Sequence, residues 1–172
     1  RGAAASLVLM VVEALLGAGL VIFGLVAEND SIARAWVMGL HLVNTLLLLG
    51  ALTLAAWWAS GGGALRPREH EGMSVLLGLG VLAMLVLGAS GAITALGDTL
   101  FPASSLREGI AMDFSPTAHI LLRLRIFHPV IAIGTGVYLA LAAGAAALFQ
   151  PTPFVKKAAL ALVGLFVLQI GL

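Results

Sequence analysis

The sequence predicts an all-α integral membrane protein, a polytopic helical bundle with four complete transmembrane helices and a truncated fifth. Hydrophobic residues make up 61% of the 172 residues and charged residues only 10%, which is too little polar surface for a water-soluble globule of this size. The apolar residues form long runs that are separated by Gly, Pro and charged residues. These runs lack the regular alternation of polar and apolar residues that a membrane β-barrel requires.

A helix needs roughly 20 residues to cross the bilayer core, and four of the apolar runs reach that length. A fifth run, which begins near Ala158 and stops at Leu172, falls short of that length. The four runs that reach it are Ala3–Ala27, Ala35–Ala59, Met73–Leu96 and Leu121–Phe149.

The loops predict the orientation of these spans. Basic residues favour the cytoplasmic side of a membrane, and they cluster after the second span and before the fifth, at Arg66, Arg68, Lys156 and Lys157. The connection at 28–34 is net acidic, so we expect it on the outer side together with the long loop after the third span. In that long loop, Ser105 and Glu108 form a capping-box pattern that predicts a short helix lying on the membrane surface.

Two histidines inside the predicted spans are the leading candidates for a functional site. His41 and His128 each lie a few residues in from the predicted outer face. An imidazole in hydrocarbon is costly unless it is paired or bound, so such residues often mark a cofactor or a proton path. Glu13, the carboxylate within the first span, is expected to make a structural hydrogen bond, with a place on a proton route as the alternative.

Overall charge and residue usage narrow the possible partners. A net charge of +1 provides no strong field for nucleic acid or for a polyanionic substrate. The chain has no cysteine for disulfides, zinc–thiolate sites or iron–sulfur clusters. The expected partner is therefore the lipid bilayer. Other membrane subunits or further copies of the chain are additional partners that the composition allows.

A weak internal repeat relates the two ends of the chain. Ala5–Leu16 aligns with Ala161–Leu172, and this alignment superposes Glu13 on Gln169. Internal repeats are common in membrane folds. We therefore interpret the chain as a window on two pseudo-twofold four-helix halves. Its parts are the last two helices of the N-terminal half (1–60), a cytoplasmic loop (61–72), and two helices with a partial third of the C-terminal half (73–172).

Several segments resemble the heme A synthase family in the order in which that family has them. VVEALLGAGLVIFGL (11–25) and ARAWVMGLHLVNTLLLL (33–49) resemble its third and fourth spans. LGASGAITALGD (87–98) resembles a span that leads into an outer loop, and RLRIFHPVIAI (123–133) resembles its I-H-R-x-x-A segment. FVLQIGL (166–172) resembles the start of its seventh span.

The resemblance implies an eight-helix protein of the bacterial cytoplasmic membrane that oxidises heme O to heme A for terminal oxidase assembly. It also implies heme b as a bound cofactor and a bis-histidine heme site in each half. His41 and His128 would then be axial ligands of two different heme irons. The chain departs from the family pattern at Pro129, where the family has Arg, and in the loop 97–118, which lacks the cysteines of some members. The family's E-x-x-H-R segment does not occur in this window, so retention of the oxidative activity is left open.

Each candidate ligand also has a purely structural interpretation. Asn44 and Thr45 share a helix face with His41 and offer a hydrogen bond to the ring nitrogen that is not bound to iron. The alternative is a histidine that is hydrogen-bonded across a helix pair. For His128, Pro129 removes a helical hydrogen bond to Arg125 and loosens a turn that suits a heme edge, or the proline simply kinks the span.

The remaining polar candidates lie near the predicted outer face. We expect Arg125, on the His128 face, to reach the heme edge, and Arg123 to turn toward headgroups or the outer-loop helix. His119 faces substrate or a propionate, or simply lies at the interface, and His70 is a solvated loop residue. Two other functions stay open, namely a b-type cytochrome or accessory subunit that does not modify heme, and a cofactor-free assembly subunit or transporter.

Overall fold

The computed structural model describes residues 2–64 and 70–170, and all regular secondary structure in these ranges is helical. In chain order the described helices are α1 (Gly2–Ile22), α2 (Ile32–Ala59), α3 (Glu71–Leu100), α4 (Leu106–Asp113), α5 (Ile120–Arg125), α6 (Phe127–Phe149) and α7 (Pro153–Ile170). Four spans are long and apolar enough to cross a membrane: α1, α2, α3, and α5 with α6 as one stretch. The predicted all-α integral membrane class is confirmed.

Several helix ends differ from the predicted spans because hydropathy does not detect caps. The first helix ends at Ile22 rather than Ala27, since Gly24 adopts a left-handed conformation (φ +63°) that only glycine adopts without strain. The Gly24 N–H then bonds to Val21 and the Leu25 N–H to Leu20, which is a Schellman motif. The second helix begins earlier than predicted, where the Ser31 side chain caps it by accepting from the Arg34 N–H.

Later helices show the same effect of end residues. The last helix begins at Pro153 rather than near Ala158, because proline is well accommodated at the first helical position, whereas the apolar run on which the prediction relied begins only after Lys156 and Lys157. The fourth span is interrupted at Ile126, between α5 and α6. Pro129 has no N–H to donate to the carbonyl of Arg125, and the predicted loosening of this turn is confirmed.

The predicted surface helix in the long loop is α4. Its N-cap is Ser105, whose hydroxyl accepts from the Glu108 N–H at 3.2 Å. The return contact is shifted by one residue from a standard capping box, because Glu108 accepts from the backbone N–H of Ser104 at 2.8 Å and from the Ser104 hydroxyl. These bonds satisfy N-terminal donors that the short helix cannot pair internally.

The described residues fall into two compact units. Unit 1 comprises the described residues within 1–64 and 85–129, and unit 2 comprises those within 65–84 and 130–172. In unit 2, Tyr138 donates its hydroxyl proton to the carbonyl of Leu76 at 2.7 Å, which ties α6 to α3. The buried core of unit 1 consists of Ala35, Leu96 and Leu121, packed by Met38, Ile93, Leu100 and Phe101.

Unit 1 holds all of the leading site candidates. Its core lies where the start of α2, the end of α3 and α5 meet, next to α4. We call this the α4 end of unit 1. Arg66 and Arg68, on which the predicted orientation depends, lie outside the described residues, so the orientation stays a prediction. The division into pseudo-symmetric halves also stays a prediction.

Candidate functional site

A polar cluster lies inside the α1–α2 pair, around the carboxylate of Glu13. Asn44 is buried, and its side-chain N–H₂ donates to Glu13 Oε2 at 2.6 Å and to the carbonyl of Leu9 at 2.9 Å. The Thr45 hydroxyl contacts Glu13 Oε1 and the carbonyl of His41. The expected structural hydrogen bond of Glu13 is confirmed, and it fixes the carboxylate against α2.

The imidazole of His41 lies beside this carboxylate. Its Nδ1 is 3.5 Å from Glu13 Oε1 and is buried without a hydrogen bond to any described residue. Asn44 and Thr45 share the His41 face as predicted, but they contact the carboxyl group of Glu13 instead of the ring. A Cβ added at Gly17 of α1 would lie 3.8 Å from Cε1 and 4.0 Å from Nε2 of His41.

The imidazole of His128 is held by Ser90 of α3. Ser90 Oγ is 2.9 Å from His128 Nδ1 and 2.8 Å from the carbonyl of Leu87. Because a hydroxyl has one proton and a carbonyl can only accept, Ser90 donates to Leu87 and accepts from the Nδ1–H of His128. This tautomer leaves a lone pair on Nε2, which is the form that a metal requires.

The space beside His128 is also shaped by a glycine. A Cβ added at Gly91 would lie 3.3 Å from Cε1 of His128, closer than an ordinary carbon–carbon contact. Both imidazoles therefore lie against a glycine of another helix, with one ring nitrogen beside a polar side chain. A neutral imidazole that is oriented through one nitrogen and free at the other fits an axial heme ligand.

The two imidazoles face different helices. His41 lies against α1, at Gly17, while His128 lies against α3, at Gly91. A different face of α2 packs on α3. A Cβ added at Gly39 of α2 would lie nearest to Ala89 of α3, and a Cβ added at Gly88 of α3 would lie nearest to Leu46 of α2. Within the described residues, no three His, Asp or Glu side chains are grouped as a metal centre. Each imidazole instead offers a single donor nitrogen.

Arg125 lies in an ion cluster at the α4 end of unit 1. Its side chain is 8% exposed, and it pairs with Asp113 through Nε and with Asp98 through Nη1 at 2.6 Å. Its Nη2 donates to the carbonyl of Gly109 at 3.2 Å. We expected Arg125 to reach an open heme edge, whereas the structure surrounds all three of its nitrogens with acceptors from α3 and α4. A buried guanidinium requires such partners.

The ion cluster lines a cavity of about 420 Å³ beneath α4. Arg123, which we expected to turn toward headgroups or the outer-loop helix, donates to the carbonyl of Pro116 at 2.7 Å, in the segment after α4. The two arginines therefore anchor the loop at two points. Their directions differ because two positions along a helix are separated by about 200°.

His119 caps the start of α5. Its Nδ1 accepts from the Leu121 N–H at 3.3 Å, and its Nε2 lies 3.7 Å from Asp30 Oδ2. The ring also packs on Phe101, with centroids 5.0 Å apart. These contacts give His119 a structural role as the cap of α5, and its placement at the membrane interface stays a prediction. His70 is exposed in the loop before α3, as predicted.

Three residues that orient the candidates were not predicted from the sequence: Ser90, Asp98 and Asp113. Ser90 and Asp98 both occur in LGASGAITALGD, the segment on which part of the family resemblance rests. Both are polar residues in an otherwise apolar run, and this pattern could have indicated them as site residues. Asp113 had no comparable signal, since it lies in a polar surface helix.

Comparison with known proteins shows what the chain is similar to. A family model described as cytochrome oxidase assembly protein matches residues 1–172. Two similar relatives, from two strains of Thermus thermophilus, are named protoheme IX farnesyltransferase, and each is 47% identical to the chain over 169 residues. These matches cover 98% of this chain and 28% of each relative, so the chain spans little more than a quarter of their length. No solved structure matches the chain.

Proposed function

The chain belongs to the cytochrome oxidase assembly protein family, and we propose that it forms the heme-binding part of a heme A synthase-type oxidoreductase that converts heme O to heme A. In this proposal His41 and His128 are axial ligands of two different heme irons. The observation that supports it is the shared setting of the two imidazoles. Each packs against a glycine of another helix and has one ring nitrogen beside a polar side chain, Glu13 or Ser90.

The chain's own residues bind and orient the heme in this proposal. Bound heme supplies the redox chemistry. Ser90 holds His128 in the tautomer that leaves Nε2 free. Arg123 contributes its charge at the α4 end, where cations suit heme propionates, whereas Arg125 acts through the loop that it anchors and His119 acts through its cap on α5. The proposed location is the cytoplasmic membrane of a bacterium, with lipid and heme as partners.

The alternative within the same class is a b-type cytochrome or accessory membrane subunit that binds heme without modifying it. Extraction and chromatography of hemes after the full-length protein has been incubated with heme O and an electron acceptor system separates the two. The proposal predicts that heme O falls and heme A appears. Stable heme binding without heme A formation would replace it with the cytochrome function, and absence of bound heme would overturn both.

The name of the relatives suggests a second activity, farnesyl transfer to protoheme IX, for the full-length protein. Farnesylation of protoheme IX gives the tailed heme that a heme A synthase-type enzyme oxidises, so the two reactions are consecutive. We assign farnesylation to the part of the relatives outside the matched segment, since the family match accounts for all of residues 1–172. Farnesyl transfer should then survive in His41→Ala and His128→Ala. Loss of farnesylation in both variants would place that activity in this segment as well.

A further inference from the structure

We propose that Glu13 is a positioning residue for His41 and that it makes the two candidate ligands unequal. A carboxylate supports His41, whereas a hydroxyl supports His128. The heme at His41 should therefore have the lower midpoint potential of the two, so that electrons pass from it toward the heme at His128. The inference rests on the proposed function, because it concerns hemes bound through these two imidazoles.

Geometry places the Glu13 carboxylate where it can act on the His41 ring. Asn44 and Thr45 bind the two carboxylate oxygens, so Glu13 is fixed on the His41 side of α2. The buried Nδ1 of His41 has no hydrogen bond among the described residues, and Glu13 Oε1 is 3.5 Å away. A movement of about half an ångström would give an ordinary N–H···O bond.

A hydrogen bond from Nδ1–H to a carboxylate increases the donor strength of the opposite nitrogen, Nε2. Hydrogen bonds to a charged acceptor are shorter and about twice as strong as those between neutral groups. Ser90 provides only a neutral hydroxyl to His128. A stronger donor and a nearby negative charge both favour the oxidised iron, and they lower the midpoint potential of the heme at His41 relative to the heme at His128.

The test is a redox titration of the full-length protein with its hemes bound. The heme at His41 is identified as the signal that is lost in His41→Ala, and the heme at His128 as the one lost in His128→Ala. Glu13→Gln should raise the midpoint potential of the first signal and leave the second unchanged. In the internal repeat, Gln169 aligns with Glu13, so a glutamine at position 13 is expected to be accommodated in the span. Glu13→Asp should raise the same potential by withdrawing the carboxylate from Nδ1 while keeping its charge.

Thr53→Val is the matched control, because the Thr53 hydroxyl bonds only the Leu49 carbonyl of its own helix among the described residues. It should move neither midpoint. If His41→Ala loses no heme signal, the proposed function fails. If the signal is lost but Glu13→Gln and Glu13→Asp leave its midpoint at the wild-type value, or if this heme has the higher midpoint in the wild type, the inference alone fails. Where Glu13→Gln does not assemble with heme, Glu13→Asp decides.

Discussion

Replacing Gly91 with alanine is expected to loosen heme at His128 without destabilising the helices. The added Cβ would lie 3.3 Å from Cε1 and 3.8 Å from Nδ1 of His128. Carbon atoms in contact ordinarily stay about 3.5–4.0 Å apart, so the ring must move by a few tenths of an ångström. The ring cannot move freely, because Ser90 holds its Nδ1 at 2.9 Å.

The size of the effect follows from that hydrogen bond. A shift of a few tenths of an ångström takes the Ser90–His128 distance to or beyond about 3.2 Å, the upper end of ordinary N–H···O bonds. Such a bond contributes about 1 kcal/mol net, which is about a five-fold change in an equilibrium constant. Heme at His128 should therefore bind about five-fold more weakly. Alanine in a helix interior is favoured over glycine by about 0.5–1 kcal/mol, so the Tm of the heme-free protein should not fall.

Transfer of heme to excess apomyoglobin, followed for each heme signal, measures this effect. Gly17→Ala is the matched control, because its Cβ would lie 3.8 Å and 4.0 Å from atoms of His41, which are ordinary contact distances. Gly91→Ala should speed heme loss at His128 only, and Gly17→Ala should leave heme loss at His41 unchanged. Wild-type rates in Gly91→Ala, or equal acceleration in both variants, would refute the steric reasoning.

Two further substitutions address the loop that contains α4. Hydrogen bonds from the Ser104 hydroxyl and the Ser104 backbone N–H lower the pKa of Glu108. The ionised Glu108 side chain therefore stabilises α4 at neutral pH. This stabilisation is lost as the pH falls from the ordinary carboxyl range through the lowered pKa. Hydrogen-exchange protection of the α4 amides should drop on acidification in the wild type but not in Glu108→Gln, and equal pH dependence in the two proteins would contradict this. Arg125→Gln leaves the Asp113 carboxylate, which is 16% exposed, without its cation. It should lower the free energy of unfolding, measured by thermal unfolding in detergent, by about 3 kcal/mol. Arg107→Gln, in α4, is its control with an expected change within about 0.5 kcal/mol, and equal losses would show that the ion cluster is not stabilising.

Features that depend on local sequence were predicted correctly. The four spans follow from the length of the apolar runs, and the helix at Ser105 and the break before Pro129 follow from cap and proline chemistry. The family resemblance drawn from short motifs such as 33–49 is confirmed by a family match over the whole chain. Each of these signals is contained in a continuous stretch of sequence.

Features that depend on how two helices meet could not be predicted. Ser90 and His128 are far apart in the chain, and their contact depends on the rotation and depth of α3 against the start of α6. Apolar periodicity shows that a residue lies within the membrane, but it does not show which neighbour it faces. The same holds for Arg125, whose carboxylate partners come from the end of α3 and from α4.

The most direct test of the central claim is the number of hemes bound per chain in the full-length protein and in its His41→Ala and His128→Ala variants. Pyridine hemochrome content and resolved redox signals give this number, with His70→Ala as the control from an exposed loop position. We predict that each of the two variants loses one signal, that the signals lost are different, and that His70→Ala keeps both. Loss of the same signal in both variants would mean that one iron lies between His41 and His128, and unchanged heme content in both would mean that neither is a ligand.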